Sequence, residues 1–91
     1  MITLGSNISL DGFDDMDPGM LIVVKKIVGL FAKKVSENIG NLDAFEVRKA
    51  DKEITVRAVS GEKTLEESSS HDNPFVALSN ALTSLEGKSK Q

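Results

Sequence analysis

Hydrophobic and polar positions change their spacing several times along the chain. Residues 2–10 place Ile2, Leu4, Ile8 and Leu10 at even positions. That period of two is the signature of a half-buried strand, with Gly5 to Asn7 readable as a bulge or local bend inside it. The spacing then lengthens. Asp17 is a good N-cap, and Pro18 suits the first helical position, where its missing N–H costs nothing. Met16 and Leu21 stand at the two positions of a hydrophobic staple. Met20, Leu21, Val24, Ile27, Val28, Phe31, Val35 and Ile39 follow at three- and four-residue steps, and Gly40 is a natural residue to end on. The pattern predicts a long amphipathic helix over 18–39.

After Asn41 the period returns to two. Phe45 and Val47 alternate with Glu46 and Arg48, and Ile54, Val56 and Ala58 alternate with Thr55, Arg57 and Val59. Turn-forming residues sit between these runs at 50–53 and 60–62. Lys63 to Ser70 has Leu65 as its one large apolar residue, which suits an edge strand guarded by charges and serines. Residues 42–70 thus predict a three-stranded antiparallel meander. Asn73-Pro74 repeats the N-cap and proline signal, and Phe75, Leu78, Ala81, Leu82 and Leu85 form one apolar stripe ending near Gly87. The expected fold class is α+β: a two-layer sandwich of order β-α-β-β-β-α, with two helices on one face of a four-stranded sheet. Its first strand, long helix and following strand would make a right-handed crossover. Residues 1–87 form a single domain in this reading, and 88–91 a frayed tail.

Composition agrees with one globular domain: 91 residues, 40% hydrophobic and 27% charged. The absence of cysteine excludes a disulfide framework, a thiolate metal site and a cysteine nucleophile together. The opening residues lack the basic region of a secretory leader, and acidic residues follow at Asp11, Asp14, Asp15 and Asp17. The longest apolar stretch, Met20 to Val35, is interrupted by Lys25-Lys26 and Lys33-Lys34, so no membrane span is expected. A cytoplasmic protein is the resulting expectation.

Little in the chain points to catalysis. His71 is the sole histidine, and its neighbour Asp72 would point away from it on a strand or loop, so the two do not form a base with its orienting carboxylate. The four early aspartates lack the spacing of a calcium loop. They are better explained as an acidic loop that favours the positive end of the helix behind it. No glycine spacing matches a phosphate loop. No catalytic residue, cofactor or metal is therefore expected.

Charge says more. The net value is −3, but it is unevenly spread. Residues 1–20 carry four negative charges and no positive one, whereas 21–40 carry four lysines against Glu37. At about 100° per residue the apolar stripe of the first helix lies opposite Lys26 and Lys33, flanked by Lys25 and Lys34. One helix face of an acidic protein is thus basic, either as a solvated surface or as a phosphate-binding one. Two arginines and no Tyr or Trp disfavour sequence-specific reading of single strands. A bound nucleic acid would be recognised by shape and backbone.

Two segments carry a resemblance to a family. Ile2-Thr3-Leu4-Gly5-Ser6-Asn7-Ile8 resembles the first strand of the ribosome hibernation-promoting factor and ribosome-associated inhibitor (protein Y) family. Asp72-Asn73-Pro74-Phe75-Val76-Ala77-Leu78-Ser79-Asn80-Ala81-Leu82-Thr83-Ser84-Leu85-Glu86 is similar to its final helix, where an Asp begins the turn and an Ala followed by an aliphatic residue packs on the sheet. The resemblance implies a non-enzymatic translation regulator bound to the small ribosomal subunit or its RNA, in the channel used by messenger and transfer RNA. It implies RNA-binding positions at Lys25, Lys26, Lys33 and Lys34. The second helix departs from the family's basic tendency with Ser79, Asn80, Thr83 and Ser84. The alternative is a small protein-interaction or dimerisation module without a nucleic-acid role, its partner or second copy meeting the sheet face or the edge strand near Leu65.

Overall fold

The computed structural model describes residues 1–5 and 7–90. Five strands and two helices follow in the order β1 (Ile2–Leu4), β2 (Ile8–Asp11), α1 (Pro18–Ile39), β3 (Ala44–Ala50), β4 (Glu53–Ser60), β5 (Lys63–Ser70) and α2 (Pro74–Ser89). The strands lie in that same order across one mixed sheet. β2 and β3 pair in parallel, and the other neighbouring pairs are antiparallel.

The class is α+β as expected, but the sheet has five strands where the spacing predicted four. The single strand expected over 2–10 is a hairpin. Gly5 takes φ +65°, a left-handed conformation that glycine adopts freely, and the chain reverses there. Ile2 then pairs with Leu10 and Leu4 with Ile8. The connection between Leu4 and Ile8 has an odd number of residues, so even-numbered side chains share a face before and after it. A period of two reads the same for both arrangements. Ser6, inside the expected bend, lies outside the described residues.

Both helix starts are built as the sequence implies. The Asp17 carboxylate accepts from the backbone N–H of Gly19 at 2.8 Å and of Met20 at 3.4 Å, and Asn73 Oδ1 accepts from Phe75 N–H at 2.9 Å. These bonds satisfy donors that a helix start otherwise leaves unpaired. α1 ends where Gly40 turns to φ +88° and its N–H reaches the Ser36 carbonyl. The meander turns on Asp51 (φ +57°) and Gly61 (φ +60°). Gly61 N–H also donates to the Asp43 carboxylate, which ties that turn to the start of β3.

Only one face of the sheet is covered. Leu10, Phe45, Val47, Ile54, Val56, Ala58 and Leu65 point inward and meet Val24, Val28, Ala32 and Val35 of α1 and Ala77, Leu78, Ala81, Leu82 and Leu85 of α2. Burial of this cluster is the main force holding the layers together. α2 runs through Gly87 to Ser89, although Gly87 was expected to stop it and 88–91 to fray. Tertiary bonds override the glycine. Asn38 donates to the buried Ser89 hydroxyl at 2.8 Å, and Lys88 pairs with Glu67 on β5 at 2.7 Å. Gln91 lies outside the described residues.

Candidate functional site

α1 turns Val24, Val28, Ala32 and Val35 into the core, and this fixes what faces outward. With about 3.6 residues per turn, the opposite side presents Ile22, Val23, Lys26, Leu30, Lys33, Lys34 and Glu37, all exposed. Lys25 is half-buried at the flank. Lys25 to Lys34 span about 14 Å of helix axis at roughly 1.5 Å per residue.

Ion pairing separates these lysines from most of the other cations. Arg48 pairs with Asp11 at 3.5 Å, Lys52 with Asp72 at 2.8 Å, Arg57 with Glu46 at 3.7 Å, Lys88 with Glu67 at 2.7 Å and Lys90 with Glu86 at 3.1 Å. Among the described residues no ion pair engages Lys25, Lys26, Lys33 or Lys34. The Lys34 ammonium sits 5.1 Å from the centroid of the Phe31 ring, a cation–π contact that steadies the side chain without neutralising it.

The two arginines do not join this surface, whereas Lys90 at the end of α2 shares a depression with Lys34, Glu37, Asn38 and Glu86. Glu46, Arg48, Thr55, Arg57, Glu66 and Ser68 alternate with the inward residues of their strands. They therefore occupy the open sheet face, remote from α1. A depression of about 260 Å³ lined by Glu46, Arg48, Thr55, Arg57 and Glu66 lies there, and Thr55 is hydrogen-bonded to Ser68 of the neighbouring strand at 3.0 Å. α2 adds no outward charge near its middle, where Ser79, Asn80, Thr83 and Ser84 are exposed.

One feature of α1 departs from the expected pattern. Met20, assigned to the apolar stripe, is 38% exposed, and Ile22, Val23 and Leu30 are 58%, 45% and 62% exposed. The expected stripe also omits Ala32, which is buried. The outward side of α1 therefore mixes aliphatic groups with Lys26 as far as Leu30 and is polar beyond it, where Lys33, Lys34, Glu37 and Asn38 are exposed. The signal was present in the sequence as three branched side chains lying outside the stripe.

The remaining candidates are occupied otherwise. His71 is exposed, with Nδ1 accepting from Asn73 N–H at 2.9 Å, while Asp72 pairs with Lys52. Both line a depression of about 120 Å³ with Lys49, Asp51, Ile54 and Pro74. Of the early aspartates, Asp11 holds Arg48, Asp14 meets the N-terminal amine at 3.1 Å and Asp17 caps α1. No group of three or more metal-ligating side chains converges among the described residues. No helix among them is long and apolar enough to cross a membrane.

Comparison of the sequence with protein-family models and with curated proteins finds no match.

Proposed function

We propose that this protein is a non-enzymatic, ribosome- or RNA-associated translation regulator of the hibernation-factor type, docking on the small ribosomal subunit through the basic face of α1. The observation that carries the reading is the set of four α1 lysines, spread over about 14 Å and engaged by no ion pair among the described residues. Two further features support it. From β2 onward the order β2-α1-β3-β4-β5-α2 matches the plan that the resemblance implies, although β1 precedes it and the segment likened to the family's first strand, residues 2–8, is divided between β1 and β2. The small polar side chains on the outer side of α2 present no carboxylate to a phosphate backbone passing over the helices. Binding of this kind reads shape and backbone, because the one aromatic ring of α1, Phe31, is half-buried and lies beneath Lys34.

The open sheet face is the weaker docking surface. Its arginines are matched to Glu46 and Asp11, and Thr55 and Ser68 bond to each other. A partner would have to replace these contacts and gain few apolar ones.

Co-sedimentation with purified small ribosomal subunits tests the proposal. Four lysine–phosphate contacts predict that log affinity falls with log salt at a slope of about −3 between roughly 0.1 and 0.3 M. Lys26→Glu/Lys33→Glu should abolish co-sedimentation while leaving the far-ultraviolet circular dichroism unchanged. Equal binding by the variant and the wild type refutes the assigned face.

A further inference from the structure

Three aliphatic side chains, Ile22, Val23 and Leu30, stand on the outward face of α1 beside the lysines. Phosphate binding gives them no role. A solvated helix face gains nothing from three large apolar groups, and exposed apolar clusters framed by charge mark interaction surfaces. We propose that this face binds a protein segment: an acidic amphipathic helix whose apolar stripe covers Ile22, Val23 and Leu30 and whose flanking carboxylates meet Lys26, Lys33 and Lys34. The inference goes beyond the RNA reading and does not depend on it.

Charge complementarity selects this occupant. The cations cover a short interval bounded by acidic groups, with Asp14, Asp15 and Asp17 just before α1 and Glu37 one turn beyond Lys33. An anionic bilayer is continuous and would set negative charge against both ends. A second copy placed face to face with its lysines opposite these brings Lys26, Lys33 and Lys34 of each chain together, with Glu37 and the aspartates before α1 to either side. A helix of another protein can confine its carboxylates to the interval of about 14 Å that the lysines occupy, and leave both ends neutral. Ile22, Lys26, Leu30 and Lys33 recur at three- and four-residue steps. At about 100° per residue Val23 and Leu30 fall on one line, with Lys26 and Lys33 on one side and Lys34 on the other, the order that a partner helix with an apolar stripe flanked by carboxylates would match.

The same lysines serve both ligands, so the acidic helix and RNA exclude one another. Salt separates them. RNA binding declines steeply with salt, whereas the aliphatic contacts of the peptide are not weakened by screening.

The test is fluorescence anisotropy with labelled synthetic helices of about 20 residues, carrying leucines at three- and four-residue spacing and glutamates on both flanks in three registers. A scrambled peptide of equal composition and vesicles of phosphatidylglycerol run alongside. At least one register should bind wild-type protein in 0.15 M salt, and neither control should. Ile22→Ser/Leu30→Ser and Lys26→Glu/Lys33→Glu should each weaken binding by about tenfold or more, equivalent to about 1.4 kcal/mol or more. Circular dichroism should show both variants folded, since these side chains lie outside the core. The serine variant should still co-sediment with ribosomal subunits wherever wild type does, so failure of the RNA reading is visible separately. The proposal is overturned if all registers fail to bind, if the scrambled peptide binds equally well, or if the serine variant binds like wild type. Preference for the vesicles, or a dimer in light scattering that Leu30→Ser dissolves, overturns it in favour of a membrane or a second copy.

Discussion

Gly12→Ala should be among the most damaging small substitutions in this protein. Gly12 follows β2 at φ +86°, and a Cβ built on it would lie 2.1 Å from the Lys49 carbonyl oxygen of β3. Two costs combine. An L-residue in the left-handed region costs about 1–2 kcal/mol. The overlap with backbone cannot be relieved by a rotamer change, so β2 and β3 must separate, and overpacking of this kind costs about 1–3 kcal/mol. The expected loss is roughly 2–5 kcal/mol, against a total near 5–14 kcal/mol for a domain of this length. Gly40→Ala is the matched control, because Gly40 has φ +88° but nothing within 4 Å of its added Cβ. It should lose only the conformational part. Urea unfolding followed by far-ultraviolet circular dichroism measures both, and the difference between them isolates the close approach. If Gly12→Ala costs no more than Gly40→Ala, the tight β2–β3 junction described here is wrong.

Other substitutions probe separate parts of the fold. Leu82→Ala removes a fully buried α2 side chain and should cost about 2–5 kcal/mol in the same assay. Asp17→Ala and Asn73→Ala each delete a helix cap and should cost about 0.5–2 kcal/mol apiece. Because the two caps belong to different helices, the double variant should show additive losses in urea unfolding. A double-mutant cycle on Arg57 and Glu46, half-exposed and 3.7 Å apart, should give a coupling below about 1 kcal/mol.

The helices were legible because their ends carry chemistry. Asp17-Pro18 and Asn73-Pro74 specify starts whatever lies around them, and Gly40 specifies a stop. The meander was legible because its inward side chains alternate and its turns fall on residues that tolerate positive φ. The β1–β2 hairpin was not, because an odd-length connection preserves the parity of Ile2, Leu4, Ile8 and Leu10. The last turn of α2 was hidden for another reason: Asn38 meets Ser89, and Glu67 meets Lys88, only through tertiary structure. At α1 the spacing makes the outward position of Lys26, Lys33 and Lys34 legible, with Lys25 half-buried at the flank, but not the aliphatic groups among them. A stripe chosen as the core face says nothing about apolar residues that fall outside it.

The charge distribution leads to a less ordinary expectation for binding. The chain as a whole carries −3, yet the α1 lysines face one direction while Arg48 and Arg57 lie paired on the opposite sheet face. The molecule measures 33 × 25 × 18 Å. At about 0.01 M ionic strength the screening length is roughly 30 Å, so an approaching polyanion senses the net negative charge of the whole domain. At about 0.15 M it shortens to roughly 8 Å, and a polyanion at the helical layer senses chiefly the lysines beneath it. The association rate with RNA should therefore rise between these two salt concentrations before falling above them, where phosphate contacts are competed away. Stopped-flow mixing with fluorescently labelled RNA across that range measures it. A monotonic decline from the lowest salt would mean that the acidic groups around Asp14, Asp15 and Asp17 do not oppose the approach, and that the polarity of the domain has no part in binding.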